Sequence, residues 1–147
     1  MIKFIMMVGI PGSGKSHLAE KIAHEENGII VSSDKIREEL LENINEMRKN
    51  GIIFGEMLRR SVRALKKGCS VIYDATNIRS SERKSLLKKF DGYYKECYYI
   101  KVSLEEALRR NSNRDKQVPE EVIVKMFERL QPPQMTEGWD NIKVIAD

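Results

Sequence analysis

One stretch of eight residues has the composition and spacing of a phosphate-binding loop. It fits the pattern G-x-x-x-x-G-K-[S/T], and it stands between an apolar run and a helical segment, the context in which this pattern is meaningful. Glycines let backbone N–H groups close around phosphate oxygens, and the following helix N-terminus adds positive potential. Lys15 then reaches the β- and γ-phosphates of a triphosphate, and Ser16 Oγ can ligate Mg²⁺. The predicted nucleotide-binding residues of the loop are Gly9, Pro11, Gly12, Ser13, Gly14, Lys15 and Ser16.

A carboxylate follows the second apolar run. Asp34 comes directly after Ile29-Ile30-Val31-Ser32-Ser33, and Arg37 lies three residues further on, on the same side of a helix. Near a γ-phosphate, Asp34 can accept the proton of an attacking hydroxyl, while the planar fork of Arg37 can hold an acceptor phosphate. The residues alone leave two other interpretations open, a helix cap for Asp34 and a solvated surface cation for Arg37.

Two further polar segments can complete a site. Asp74 can hold a Mg²⁺-bound water or anchor a basic side chain, and Thr76 and Asn77 can touch substrate, although Asp and Asn also favour plain turns. Arg110 and Arg114 are one turn apart if the segment is helical, and they can close on the charge of a transferring phosphoryl group. The alternative for these arginines is a solvated cationic face.

Apolar runs alternate with amphipathic segments, which predicts an α/β fold with a parallel sheet of about four or five strands and helices on both faces. The predicted strands are Lys3–Val8, Ile29–Ser32, Ser70–Tyr73, Tyr94–Val102 and Ile142–Ile145. The predicted helices are 15–26, 34–43, 53–67, 80–90, 104–113 and 119–130, with a mobile loop over Asn43–Gly51. In open parallel sheets ligands bind beyond the carboxyl ends of the strands, where Asp34 and Asp74 stand. With 147 residues, we expect one domain over 1–147.

The order of these motifs resembles the kinase domain of phage and bacterial 5′-polynucleotide kinases. The likeness covers nearly the whole chain and includes S-x-D-x-x-R at 32–37, D-A-T-N at 74–77 and R-N-x-x-R at 110–114. It implies a P-loop kinase fold with an arginine-bearing lid, ATP as donor with Mg²⁺, and a polynucleotide 5′-hydroxyl in DNA or RNA as acceptor, in a nucleic-acid repair role. It also implies Asp34 as general base, Arg37 on the acceptor phosphate, and Arg114 with Arg110 on the donor. The phage pattern has its acid at the position of Ala75, so the resemblance leaves the duty of Asp74 open.

Two rival functions follow from the same motifs. A small-metabolite or nucleoside kinase would share Lys15, the Mg²⁺ ligand, the base and the lid arginines, and would differ in its acceptor pocket. A nucleotide-dependent switch would use the triphosphate to order loops, but the chain lacks the N-K-x-D guanine signature. The net charge of +4 permits a polyanionic partner, and the composition, 41% hydrophobic and 33% charged, is that of a water-soluble protein. We expect a cytoplasmic enzyme with no membrane partner, and the residues leave its oligomeric state open.

Overall fold

A parallel five-stranded sheet forms the centre of the protein. A computed structural model describes residues 1–40 and 46–146 of the chain, with side chains for 1–40 and 50–146. The strands lie in the order β2-β3-β1-β4-β5, and every neighbouring pair is parallel. Their bounds are β1 Lys3–Val8, β2 Ile29–Ser32, β3 Val71–Asp74, β4 Tyr94–Lys101 and β5 Asn141–Ala146. The predicted α/β class is confirmed, and all five predicted strands exist within one or two residues.

Helices cover both faces of this sheet. They are α1 Lys15–Glu26, α2 Ser33–Leu40, α3 Glu46–Lys66, α4 Ser80–Leu87, α5 Leu104–Ser112 and α6 Glu120–Arg129, with 3₁₀ turns at Lys88–Phe90 and Met135–Glu137. None of the helices in the described ranges is long and apolar enough to cross a membrane.

The central strand shows why two layers of helices are needed. Along β1, Phe4, Met6 and Val8 enter one apolar cluster with residues of α2 and α3, whereas Ile5 and Met7 enter a second cluster with α1. Successive side chains of a strand point to opposite faces, so a strand that is apolar at every position must be covered on both sides. These five side chains are completely buried.

The start of α3 differs from the prediction. Of the loop predicted over Asn43–Gly51, residues 43–45 lie outside the described residues, and the prediction is wrong for 46–51, which form the first turns of α3. Glycine and asparagine weaken a helix by only about 1 kcal/mol or less each. Further along the same helix Ile53 and Met57 are fully buried, and this packing outweighs the poor propensity of the first turns.

The carboxyl ends of the strands face one edge of the molecule, where a third apolar cluster holds α5 and α6. Ile10 of the glycine-rich loop, Ala107 of α5 and Ile123 of α6 are its buried members. The loop is therefore packed directly against α5, the helix that carries Arg110.

A buried ion pair ties the chain's C-terminal part to the turn after β3. The guanidinium of Arg83 and the carboxylate of Glu137 form two hydrogen bonds of 2.8 and 2.7 Å, and both side chains are at least 98% buried. Arg83 also donates to the carbonyls of Asn77 at 2.8 Å and Gln131 at 2.7 Å. Because the guanidinium joins three separate segments, it holds the turn at 75–78 in place.

Candidate functional site

The glycine-rich loop has the local geometry that its sequence predicts. Gly12 has a φ of 84°, and a Cβ built on it would lie 2.5 Å from the carbonyl oxygen of Ala107, so glycine is required there by both backbone and space. The N–H of Gly9 donates to the carbonyl of Thr76 at 3.1 Å, which ties the loop to the end of β3. Pro11 is buried in the loop. Gly9 and Pro11 thus shape the loop, while Gly14 and Ser16 are exposed.

A cleft of about 230 Å³ lies in front of this loop. Eight of the predicted site residues line it, together with His17: Gly12, Ser13, Gly14, Lys15, Ser16, Asp34, Arg110 and Arg114. Three cationic side chains, those of Lys15, Arg110 and Arg114, therefore share one volume with the carboxylate of Asp34. Such a volume suits a polyphosphate approached by one base.

Asp74 lies behind the loop. Its Oδ2 accepts a hydrogen bond from Ser16 Oγ at 3.1 Å, and its Oδ1 is 3.9 Å from Lys15 Nζ. Burial raises the pKa of Asp74, and the charge of Lys15 and the hydrogen bond from Ser16 oppose that rise. Asp74 was expected to hold a Mg²⁺-bound water, to anchor a basic side chain, or simply to form a turn. Its contacts favour the first two roles over the turn, because it contacts Ser16 and Lys15, the two loop residues predicted to act on Mg²⁺ and phosphate.

The same group of atoms fits a magnesium ion. Asp74 Oδ1 is buried without a hydrogen-bond partner, beside a serine hydroxyl, and hard oxygen donors of this kind suit Mg²⁺. Within the described ranges no three His, Cys, Asp or Glu side chains cluster as a metal site. Magnesium would therefore be held by Ser16, by Asp74 directly or through water, and by the phosphates of the nucleotide.

Asp34 does not cap the helix that carries it. The hydroxyl of Ser32 accepts the N–H of Lys35 at 3.3 Å, so a serine fills the capping role that Asp34 might otherwise have taken. The Asp34 side chain is 63% exposed, and its carboxylate lies 3.4 Å from Arg37 Nη1. Arg37 Nη2 in turn donates to Asn50 Oδ1 at 3.1 Å, a contact across to α3. The two side chains lie on one side of the helix, as expected, and their ion pair is also what the alternative of a surface cation beside Asp34 predicts; a contact of Arg37 with the acceptor stays a prediction.

Arg110 is positioned by its own helix. Its Nη1 donates to the carbonyl of Ser13 at 3.0 Å, and its Nε donates to Glu106 Oε1 at 3.1 Å. Hydrogen bonds from Arg109 and from Arg110 lower the pKa of Glu106 to about 2, so this carboxylate stays charged at neutral pH. The sequence held a signal for Glu106, because Ser103 followed by Glu106 is a capping box, and Ser103 Oγ does accept the N–H of Glu106.

Arg114 reaches the cleft from a loop, because α5 ends at Ser112. The buried side chain of Asn111 closes this loop, with Nδ2 donating to the carbonyl of Val118 at 2.7 Å and Oδ1 accepting its N–H at 2.9 Å. Lys116 pairs with Glu38 of α2 at 2.7 Å, so the loop also contacts the helix that carries Asp34. Asn111 is the asparagine of the R-N-x-x-R motif, but the motif by itself does not indicate that this side chain closes the loop after α5.

Thr76 and Asn77 stand apart from this cleft. Both line a separate groove between α3 and α4. Asn77 has a φ of 51°, and its amide Nδ2 donates to the carbonyls of Met7 at 2.6 Å and Ala75 at 3.2 Å. Its amide group thus serves the turn, as the alternative interpretation held, and a substrate contact by either residue stays a prediction.

Comparison with known proteins places this geometry in a family. A family model described as the AAA domain matches residues 4–133. The chain belongs to this AAA-domain family. The L-seryl-tRNA(Sec) kinase of Methanococcus maripaludis is 31% identical over 156 residues, covering 97% of this chain and 58% of that protein. The bifunctional polynucleotide phosphatase/kinase of Schizosaccharomyces pombe is 25% identical over 150 residues, covering 97% of this chain and 33% of that protein.

Solved structures share this fold. A chain of the Pnkp1/Rnl/Hen1 RNA repair complex superposes with a TM-score of 0.75 and 25% identity, over 88% of this chain and 44% of that one. A gluconokinase from Sinorhizobium meliloti 1021 superposes with a TM-score of 0.71 and 18% identity, over 98% and 82%. The chain thus has the fold of P-loop kinases, and it spans less than two thirds of the length of the curated relatives named above.

Proposed function

We propose that this protein transfers the γ-phosphoryl group of ATP to the 5′-hydroxyl of a polynucleotide. One observation carries the proposal. The carboxylate of Asp34, which is not used as a helix cap, lines the same cleft as Lys15, Ser16, Arg110 and Arg114. A nucleotide-dependent switch has no need of a carboxylate facing the phosphates, whereas a phosphotransferase with an alcohol acceptor needs a base there.

The residues divide the reaction between them. Lys15 and the N–H groups of the loop hold the donor phosphates, and Arg110 and Arg114 balance the charge that develops on the transferred group. The acceptor oxygen forms a bond to the γ-phosphorus, its proton passes to Asp34, and the bond between the γ-phosphorus and the bridging oxygen breaks to release ADP. Bound Mg²⁺ would neutralise charge on the β- and γ-phosphates. Arg37, 38% exposed beside Asp34, is the candidate to hold the first phosphodiester of the acceptor.

The acceptor class is supported by the relatives and by charge. The two curated relatives described above are named for substrates that contain nucleic acid, a seryl-tRNA in one and a polynucleotide in the other. The net charge of +4 is compatible with a polyanion. The motifs S-x-D-x-x-R and R-N-x-x-R support the finer resemblance to 5′-polynucleotide kinases.

A second candidate is phosphorylation of an alcohol carried by an aminoacyl-tRNA. It is favoured by the 31% identity to L-seryl-tRNA(Sec) kinase. The same catalytic residues would serve, since the seryl hydroxyl is also a primary alcohol attached to a nucleic acid.

A labelled-phosphate assay separates the candidates. The protein is incubated with γ-labelled ATP and Mg²⁺ and with, in separate reactions, a 5′-OH oligonucleotide, the same oligonucleotide carrying a 5′-phosphate, seryl-tRNA, gluconate and a nucleoside mixture. We expect label on the 5′-OH oligonucleotide and none on its 5′-phosphorylated form. Label confined to seryl-tRNA would select the second candidate, and label confined to gluconate or nucleosides would select a small-molecule kinase.

A further inference from the structure

A groove of about 640 Å³ lies between α3 and α4, next to the phosphate cleft. Its size is within the usual range of sites for small molecules or ligand groups. Its walls come from α3, from α4 and from the turn after β3, with Thr76 at the end nearest the glycine-rich loop.

The groove and the cleft are connected through named contacts. Asn50 lines the groove and accepts a hydrogen bond from Arg37, which is paired with Asp34 in the cleft. On the other side, the carbonyl of Thr76 accepts the N–H of Gly9. A molecule whose hydroxyl lies at Asp34 therefore has the groove as the adjacent space for the group next to that hydroxyl.

The α3 wall is built in an unusual way for a helix. Gly51 and Gly55 are four residues apart and lie on the same helix face, and both line the groove with Phe54 between them. A Cβ built at either glycine would have no heavy atom of the described chain within 4 Å, leaving aside its own neighbours and the adjacent turns of the helix. Neither glycine has a positive φ. Since glycine weakens a helix and neither backbone geometry nor packing requires it here, the clearance over α3 is the feature these glycines provide.

The lining of the groove is suited to a flat aromatic group. Phe54 is 42% exposed on its wall, beside Leu58 and Leu86. Two of the polar residues have their donors engaged elsewhere: Arg83 binds Glu137 and two carbonyls, and Asn77 Nδ2 binds two carbonyls. The remaining polar lining residues can hydrogen-bond the edge of such a group; they are Asn50, Thr76, Ser81, Glu82, Ser85 and Lys89. A nucleobase combines polar edges with a face that gains from stacking on an exposed aromatic ring.

We propose that this groove receives the nucleobase of the acceptor strand's terminal nucleotide, stacked against Phe54 and admitted by the clearance at Gly51 and Gly55. The proposal rests on the function proposed above and deepens it, since it names what is recognised beside the reacting hydroxyl. Gly55 and Phe54 are thereby specificity-determining residues for the acceptor, with no part in holding ATP.

The first test fills the groove without harming the helix. Gly55→Leu replaces a poor helix former with a good one and projects a side chain into the groove. We expect thermal stability equal to or above that of the wild type, an unchanged KM for ATP, and a KM for a 5′-OH oligonucleotide raised at least about tenfold, corresponding to about 1.4 kcal/mol. Ile52→Leu is the matched control, because Ile52 lies on the same helix, is 41% exposed and is not part of the groove lining. An acceptor KM in Gly55→Leu equal to that of the control would overturn the proposal.

The second test asks whether Phe54 and the terminal base touch. Wild type and Phe54→Ala are each assayed with a 5′-OH oligonucleotide and with one whose 5′-terminal nucleotide is abasic. We expect removal of the base to raise the wild-type KM about fivefold or more, and to have little further effect in Phe54→Ala, because the stacking partner is already gone. Equal effects of base removal in both proteins would refute the stacking. If the wild type transfers phosphate to no oligonucleotide, the proposed function fails and this inference fails with it. If transfer is normal but the effect of removing the base does not depend on Phe54, the inference alone is overturned.

Discussion

Replacing Asp34 with asparagine is expected to separate catalysis from folding. The side chain is 63% exposed, and its contact in the protein is a 3.4 Å ion pair with Arg37 three residues along the helix. Exposed pairs of this kind contribute about 0.2–1 kcal/mol, and the helix cap is supplied by Ser32. The free energy of unfolding should therefore fall by less than about 1 kcal/mol. Loss of a general base costs about 10²–10⁴ in rate, which is about 2.7–5.5 kcal/mol of transition-state stabilisation.

The transfer rate, the affinity for the donor and the stability are measured on the same samples. Single-turnover transfer from γ-labelled ATP to the acceptor gives the rate, binding of a non-hydrolysable ATP analogue gives the affinity for donor, and urea titration gives stability. We expect Asp34→Asn to bind the analogue as the wild type does and to lose at least about 10² in rate. Glu39→Gln is the control, because Glu39 lies on the same helix, is 52% exposed, and pairs with Arg60 at 2.7 Å. A rate for Asp34→Asn within about fivefold of the control would refute Asp34 as the base and leave it a surface residue of α2.

Three further outcomes are expected. Gly12→Ala should abolish binding of the ATP analogue, as measured by calorimetry. Gly12 has a φ of 84°, and the added Cβ would lie 2.5 Å from the carbonyl oxygen of Ala107. Wild-type affinity in this variant would contradict the prediction. Arg83→Met should lower the free energy of unfolding by about 3–5 kcal/mol in urea titration, because it leaves the carboxylate of Glu137 buried without its cation. The control Arg59→Met removes the cation of an exposed ion pair and should lower it by less than about 1 kcal/mol. Equal losses in the two variants would contradict this prediction. Burial raises the pKa of Glu137, but the hydrogen bonds to it outweigh burial and leave the pKa below its usual value; the carboxylate therefore stabilises the fold above about pH 4.5, and this contribution is lost on further acidification. The free energy of unfolding, measured by chemical denaturation at pH 7 and below pH 4, should fall less on acidification in Glu137→Gln than in the wild type. An equal fall in both proteins would contradict a stabilising role for the charged Glu137 carboxylate.

The strands and most helix ends were predictable because their signals are local. Asn27 has a φ of 51° and ends α1 where Asn27-Gly28 predicted a cap, and β1 has the predicted bounds because its apolar run is bounded by a polar start and a glycine loop. The start of α3 was not predictable, since the buried contacts of Ile53 and Met57 decide it and these lie far along the helix. Glu106 could be found from its capping-box pattern. Asn111 belongs to the R-N-x-x-R motif, but its role in closing the loop depends on contacts with Val118 that the motif does not indicate.

The sequence by itself determined that a phosphate-binding loop exists, because its glycines, Lys15 and Ser16 are contiguous and act through local backbone geometry. It also determined that Asp34 and Arg37 lie on one side of a helix, since residues three positions apart on a helix are neighbours. The tertiary structure decided the rest: that Asp74 lies behind Ser16 and Lys15, that Asn77 turns its amide toward the backbone, and that Asp34, Arg110 and Arg114 share one cleft while Gly51 and Gly55 open another. These relations depend on which strands lie side by side and how the helices pack on them, and contacts between distant parts of a chain exist only once the sheet has assembled.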